Sequence, residues 1–382
     1  CGRWHMAKLS ETLATPAVEE ARRQIEVCNA CRYCEGYCAV FPAMELRRAF
    51  SDGDIHYLAN LCHNCRSCYY ACQYASPHPF ELNPPKALSE VRSESYQRYA
   101  WPSGFARLLS RNGVVVSLVT SLSIALVLIL AVLLQTPDAL FGTHTGPGAF
   151  YAVASHNVMV YPASALFLFA MVALLIGFQR FWSQTSDTPV DLRNRQGWIQ
   201  ALKDVATLRY LGNDGAGCAY PNGAFSNARR RFHHMVMYGF LLCFTATSVA
   251  TLYDYVFGWL PPYDYLSLPV ILGTVGGVGL IVGCTGLFWI KFTSDQAPAA
   301  KNMLGMDVSF IMLLFFVSLT GLLLLGLRET PAMGMLLMVH LGFVLGLFLL
   351  LPYCKFVHGI YRLAALIRYA IEDRNAEHDA PE

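Results

Sequence analysis

Eight of the 13 cysteines fall between Cys28 and Cys72, in two runs of the same spacing: Cys28-x-x-Cys31-x-x-Cys34-x-x-x-Cys38 and Cys62-x-x-Cys65-x-x-Cys68-x-x-x-Cys72. Thiolates are soft donors for iron, and this spacing is that of the bacterial two-cluster ferredoxins. Three closely spaced thiolates wrap one cubane, and the fourth of each run reaches the other cluster. The expected quartets are Cys28, Cys31, Cys34 and Cys72 for one 4Fe–4S cluster, and Cys62, Cys65, Cys68 and Cys38 for the second. Disulfides and zinc are the competing uses of such cysteines. Disulfide frameworks belong to small secreted domains, and no secretory h-region stands before these runs. Zinc modules rarely use this spacing and do not need it twice. The proline that usually follows the last cysteine is replaced by Ala39 and Gln73, a departure that touches no ligand. His63, beside Cys62, is read as a neighbour of the cluster rather than a ligand.

A second group able to hold iron consists of His156, His233, His234, His340 and His358, all in or at the ends of long apolar stretches. Ionisable groups at membrane depth are costly and mark function. His340 and His358 are 18 residues apart, which is five helical turns or roughly 27 Å, so both would face one way near opposite membrane surfaces. Matching depths pair His358 with His234 or His233 on the inner side, and His340 with His156 on the outer side. Each pair would supply the two axial imidazoles of a haem b. His233 and His234 cannot both face the bundle, since helix neighbours point about 100° apart. The competing use is plain solvation of helix ends at head groups or water.

The elements that must position these residues divide the chain in two. Composition is 55% hydrophobic with 14% charged residues, well below the roughly 25% charged content of soluble domains. Net charge is only +2, so no global basic field points to nucleic acid. Residues 1–17 read as a flexible N-terminus, with Cys1–His5 as an upstream extension before Met6. Residues 18–110 read as a ferredoxin-like domain. It has a helix over Val18–Cys28, a proline-broken stretch at Pro77, Pro79, Pro84 and Pro85, and a charged helix over Ala87–Arg98. Residues 111–382 read as a transmembrane domain with spans at about 113–135, 157–181, 233–257, 268–292, 305–327 and 335–357. Each exceeds the ~20 residues a bilayer needs. The fold class is mainly α: a two-cluster ferredoxin-like helical domain followed by a six-helix, cytochrome b-like bundle.

Orientation follows the lysines and arginines. Loop 182–231 carries Arg193, Arg195, Lys203, Arg209, Arg229, Arg230 and Arg231, and the tail carries Arg362, Arg368 and Arg374. Loops 136–156 and 258–267 carry none, and 328–334 only Arg328. Both termini and the iron–sulfur domain are therefore expected in the cytoplasm. Cys218, in a glycine-rich loop at 215–221, is read as structural or as ordering a docking surface. Cys243, Cys284 and Cys354 are read as small apolar residues. No dinucleotide fingerprint, phosphate loop or catalytic triad occurs, so substrate chemistry is expected on a partner.

The paired cysteine runs, together with Arg231-Phe232-His233-His234, Ser267-Leu268-Pro269-Val270 and Phe356-Val357-His358-Gly359-Ile360-Tyr361-Arg362, resemble the tricarballylate utilization protein B family, also named citrate utilization protein B. The resemblance spans roughly residues 20–370. It implies an electron-transfer protein of the bacterial inner membrane that reoxidises the FAD of a partner tricarballylate dehydrogenase. Electrons would pass by iron–sulfur clusters and haem b toward membrane quinone, while the dehydrogenase converts tricarballylate to cis-aconitate. The histidine spacing is also similar to that of membrane cytochrome b subunits of the nitrate reductase type. An anchor for another flavoprotein, oxidising a corrin precursor or a citrate-like acid, is the alternative. A tricarboxylate transporter is less favoured, because it predicts an inverted repeat and charged midplane residues and leaves the cysteines unexplained.

Overall fold

The structure, a computed structural model, describes residues 14–106, 112–185, 193–212, 217–220 and 223–379. The expected extension Cys1–His5, and Gly215, Ala216 and Pro221 of the glycine-rich loop, lie outside the described residues.

Short helices build the N-terminal part: α1 (Pro16–Cys31), α2 (Val40–Glu45), α3 (Asp52–Leu61), α4 (Ser67–Tyr70), α5 (Pro84–Arg98) and α6 (Ser103–Ala106). The Thr15 side chain accepts from the Val18 N–H, and Pro16 takes the first turn, where its missing N–H costs nothing. Ser51 and Asp54 cap α3 reciprocally. Pro84 and Pro85, expected among chain breakers, instead open α5 behind the Asn83 cap.

The rest comprises α7 (Asn112–Leu134), α8 (Pro137–Phe141), α9 (Ala149–Val153), α10 (His156–Gln184), α11 (Arg195–Thr207), α12 (Ala228–Phe257), α13 (Leu268–Thr293), α14 (Leu304–Leu327), α15 (Met333–Leu350) and α16 (Val357–Asp379). A small antiparallel hairpin, β1 (Cys218–Ala219) with β2 (Phe225–Ser226), precedes α12. Among the described residues six helices, α7, α10 and α12–α15, are long and apolar enough to cross a membrane. Their outer faces expose Leu122, Leu133, Leu168 and Leu175, a surface suited to lipid rather than water. The chain is thus a multi-pass membrane protein.

Glycines set the closest helix contact. A Cβ at Gly239 would stand 2.8 Å from the Gly276 carbonyl oxygen, and one at Gly283 2.8 Å from that of Phe232. Only glycine lets α12 and α13 approach so closely, and this contact holds the start of α12, with its histidines, in place.

Three segments meet on one side of the bundle. Helices α1, α2, α3 and α5, the end of α10, Ala201 of α11 and most of α16 share one apolar core, including Tyr57, Tyr96, Phe181, Tyr361 and Ile367. On the other side the Gly148 N–H donates to Pro261 O, and Arg328 donates to Tyr263 O. The arginine-rich loop thus lies with the cysteine domain, away from the loops poor in basic residues.

Two expectations change here. The sixth span stops at Leu350 rather than at 357, because the chain turns through Leu351–Phe356, around Pro352. The residues beyond are no tail: α16 buries Ala364, Ala365, Leu366, Ile367 and Ile371 in the cysteine domain's core. Arg47 locks it there, donating to Asp54 at 2.6 Å and to both Glu372 carboxylate oxygens at 3.0 Å, all buried.

Candidate redox centre

The first motif leaves α1 at Arg32, whose backbone is left-handed (φ 55°), and its last cysteine precedes α2. The second starts at the C-cap of α3 and runs through two more left-handed residues, Asn64 (φ 54°) and Arg66 (φ 69°). Non-glycine residues held this way in a tight loop mark a constrained site. One consequence is that the Asn64 N–H points to Cys62 Sγ at 3.4 Å.

The eight cysteines line two adjoining cavities. Cys28, Cys31, Cys34 and Cys72 line one, of about 380 Å3, together with Cys68. Cys38, Cys62, Cys65 and Cys68 line the other, of about 410 Å3, together with Cys28. The fourth cysteine of each run therefore stands with the first three of the other run. All eight are free thiols. Burial, then its neighbours Cys72, Cys34 and Cys31, push the Cys28 thiol up to about 12. Burial and Cys72 push Cys34 to about 11, and Cys38 and Cys68 rise well above the ordinary thiol value. Thiols raised in this way become thiolates only with a cationic core between them. Among the described residues, no three His, Cys, Asp or Glu side chains converge on a single-ion site. A cubane does not ask for that, since each of its thiolates binds a separate iron. The residues fit iron–sulfur clusters.

A third cavity, about 1230 Å3 with its open mouth, adjoins the second and shares His63, Asn64 and Arg66 with it. It runs inward to Leu314 and carries His233 and His358. These two rings stand 6.0 Å apart between centroids, at 76° to one another. Two metal–imidazole bonds of roughly 2 Å plus two ring radii span a similar distance. His358 Nδ1 faces the Lys355 carbonyl, leaving Nε2 for a ligand, and burial holds this imidazole well below its ordinary pKa, so it is neutral. His233 Nδ1 is buried without a hydrogen-bond partner. Arg92, Arg229 and Arg362 line the same cavity and suit the carboxylates of a porphyrin, while Lys291 and Lys355 of that lining pair with Asp307.

Of the two candidates for the inner ligand beside His358, His234 is turned away: it lies against Tyr238, with ring centroids 5.8 Å apart. The helical step between neighbours gives the inward position to His233 instead. The outer pair does not assemble. His156 Nε2 meets Asp254 Oδ2 at 2.7 Å, and its ring packs on Tyr151 and Tyr255. His340 Nδ1 meets Thr320 Oγ1 at 3.0 Å, on α14. His340 and His358 also sit on separate helices, α15 and α16, so their shared azimuth is lost.

Arg92 carries no sequence signal, and other residues here gain partners that the sequence does not show. Arg92 is 3% exposed and donates to Ala59 O and Cys62 O. Arg229, one of three consecutive arginines, donates to His63 O and Asn64 O, while its neighbour Arg230 serves Thr207 O. Arg362, read from sequence as a basic residue of the tail and the end of the Phe356–Arg362 motif, donates to Asn60 O and Cys62 O. Cys218 is wholly buried, and its hairpin braces the second motif through Ala219 N–H to Cys65 O at 3.0 Å. Its role is structural.

Fold and site together define a membrane-spanning protein with a ferredoxin-type, iron–sulfur head. The family described as Citrate utilization protein B matches residues 107–379, and the Citrate utilization protein B Fer4-like domain matches residues 21–98. The chain belongs to the Citrate utilization protein B family. It is 47% identical over 371 residues to Citrate utilization protein B of Escherichia coli, covering 96% of this chain and 95% of that one. No solved structure matches it.

Proposed function

We propose that this protein is the membrane electron carrier for a flavin-dependent dehydrogenase acting on a citrate-like tricarboxylate, tricarballylate above all. It takes electrons from the partner's reduced FAD and delivers them to membrane quinone. Cys28, Cys31, Cys34 and Cys72 hold one 4Fe–4S cluster, and Cys62, Cys65, Cys68 and Cys38 the other. His233 and His358 hold haem b. When bound, these groups supply one-electron redox chemistry, which divides a two-electron flavin oxidation into single steps.

The observation that carries the reading is the series of three cavities with shared walls, from the Cys28 quartet through the more deeply buried Cys62 quartet to the histidine pair. His63 stands between the second and third. Its Nδ1 meets the Leu61 carbonyl at 2.8 Å, and burial keeps it neutral. Around the first cavity the chain leaves Tyr33 and Phe80 exposed, a face a soluble donor can approach. The arginine-rich side is assigned to the cytoplasm by the positive-inside rule.

The test is anaerobic purification of the full chain in detergent, with iron and haem counted and EPR and optical spectra recorded. About eight non-haem irons per chain and a reduced b-type α band are expected, as two 4Fe–4S clusters and protohaem require. A folded, colourless protein ends the proposal. Co-purification with a flavoprotein, and reduction by tricarballylate against citrate, decides the substrate.

A further inference from the structure

Three guanidinium groups from distant parts of the chain close on the backbone at the head of the second cysteine motif. Arg92 of α5 donates to Ala59 O at 2.9 Å and also to Cys62 O. Arg362 of α16 donates to Cys62 O at 2.9 Å and to Asn60 O at 3.3 Å. Arg229 of α12 donates to His63 O at 3.0 Å and to Asn64 O at 2.8 Å. These acceptors are neutral carbonyls, and Arg92 also donates to Ser89 Oγ at 3.0 Å while Arg229 meets Cys218 Sγ at 3.9 Å. Among the described residues, none of the three is ion-paired with a carboxylate. Three positive charges thus stand on the backbone that carries Cys62, lining the third cavity, and a fourth arginine, Arg66, lines the Cys62 quartet's own cavity. The cavity of the Cys28 quartet has no Lys or Arg in its lining.

Reduction of a cluster adds one negative charge. Buried cations beside it stabilise that charge strongly, because the surroundings screen little. Resting on the ligand quartets proposed above, we propose that Arg92, Arg229 and Arg362 are positioning residues that raise the reduction potential of the cluster held by Cys62, Cys65, Cys68 and Cys38 above that of its neighbour. One electron then passes from the cluster of the Cys28 quartet, which is oxidised, to that of the Cys62 quartet, which is reduced. No bond is made or broken and no proton moves. The reductant is the partner's reduced flavin. The charge asymmetry gives the transfer its direction, from the surface toward the membrane.

The experiment is EPR-monitored potentiometry on the purified full chain, with iron and haem counted in every sample. Wild type is compared with R92Q, R229Q and R362Q, with the lysine variants R92K and R362K, and with C65S to identify the signal of the Cys62 quartet. Wild type should show two separated potentials, the higher belonging to the signal that C65S perturbs. Each Gln variant should lower that potential and leave the other unmoved, and each Lys variant should keep most of the wild-type value. Equal or inverted potentials in wild type overturn the proposal. So do Gln variants with unmoved potentials, or Lys variants that fall as far as Gln. Loss of haem with cluster potentials unchanged would reassign the arginines to the porphyrin. If a Gln variant cannot hold its cluster, the wild-type order and the Lys variants decide. Absence of cluster signals in wild type fails the ligand assignment instead, a result distinct from all of these.

Discussion

His233 and His358 face one another across a cavity with ring centroids 6.0 Å apart, although one opens α12 and the other opens α16. The first is held by the glycine-lined contact with α13. The second is held by the packing of α16 into the cysteine domain. The pair therefore ties the two halves of the molecule at the point where a haem would stand.

His233→Ala and His358→Ala should each remove haem and spare the clusters, whereas His234→Ala should keep haem at the wild-type ratio. Haem per chain and the optical α band measure this. Haem lost from the His234 variant but retained in the His233 variant would reverse the assignment.

The cavity linings predict a crossed pattern among cysteine variants. Cys72→Ser should perturb the same EPR signal as Cys31→Ser, and Cys38→Ser the same signal as Cys65→Ser. Signals that group by run, with Cys38 following Cys31, would contradict the crossed quartets.

Glu372 is 8% exposed and carries the bidentate contact from Arg47 that fastens α16. Glu372→Ala removes one of the two carboxylates on a buried guanidinium that keeps Asp54, at a cost of about 1–3 kcal/mol. Cluster absorbance should be lost at a clearly lower temperature than in wild type. An unchanged melting profile would show that α16 is held by its apolar face alone.

His56 is 1% exposed, with Nδ1 2.9 Å from Ser95 Oγ, and burial lowers its pKa to about 4. An unfolded histidine titrates near 6.5, so the unfolded chain takes up the proton first as pH falls. The contribution is fully present above about 6.5 and is lost as pH falls through about 4. Between pH 7.5 and 5 the loss is ~2 kcal/mol. His56→Gln should flatten that part of the stability profile in denaturant titrations, and an unchanged slope would remove His56 as its source.

Much of the architecture was legible in local pattern. The cysteine spacing pointed to the iron–sulfur class that the Fer4-like match supports, and the cavity linings group the thiols as the spacing predicts for crossed quartets. The apolar runs gave six spans to within a few residues at most of their ends, because a helix without water must be apolar along its length. The sixth was overrun, since Leu351–Phe356 stays apolar while its backbone turns. Continuing the helix through that turn produced the false common face of His340 and His358, and with it the outer pair. His156 belongs instead to Asp254, and His340 to Thr320.

By itself, then, the sequence determined what depends on neighbours in the chain: the thiol spacing, the apolar lengths, and the arginine bias between the two sides. Only the tertiary structure decided that His233 rather than His234 meets His358. The same holds for the placing of α16 inside the cysteine domain, and for the convergence of Arg92, Arg229 and Arg362 on one loop. Those outcomes depend on how helices distant in sequence pack, down to a rotation of a single residue step, and no local pattern encodes that rotation.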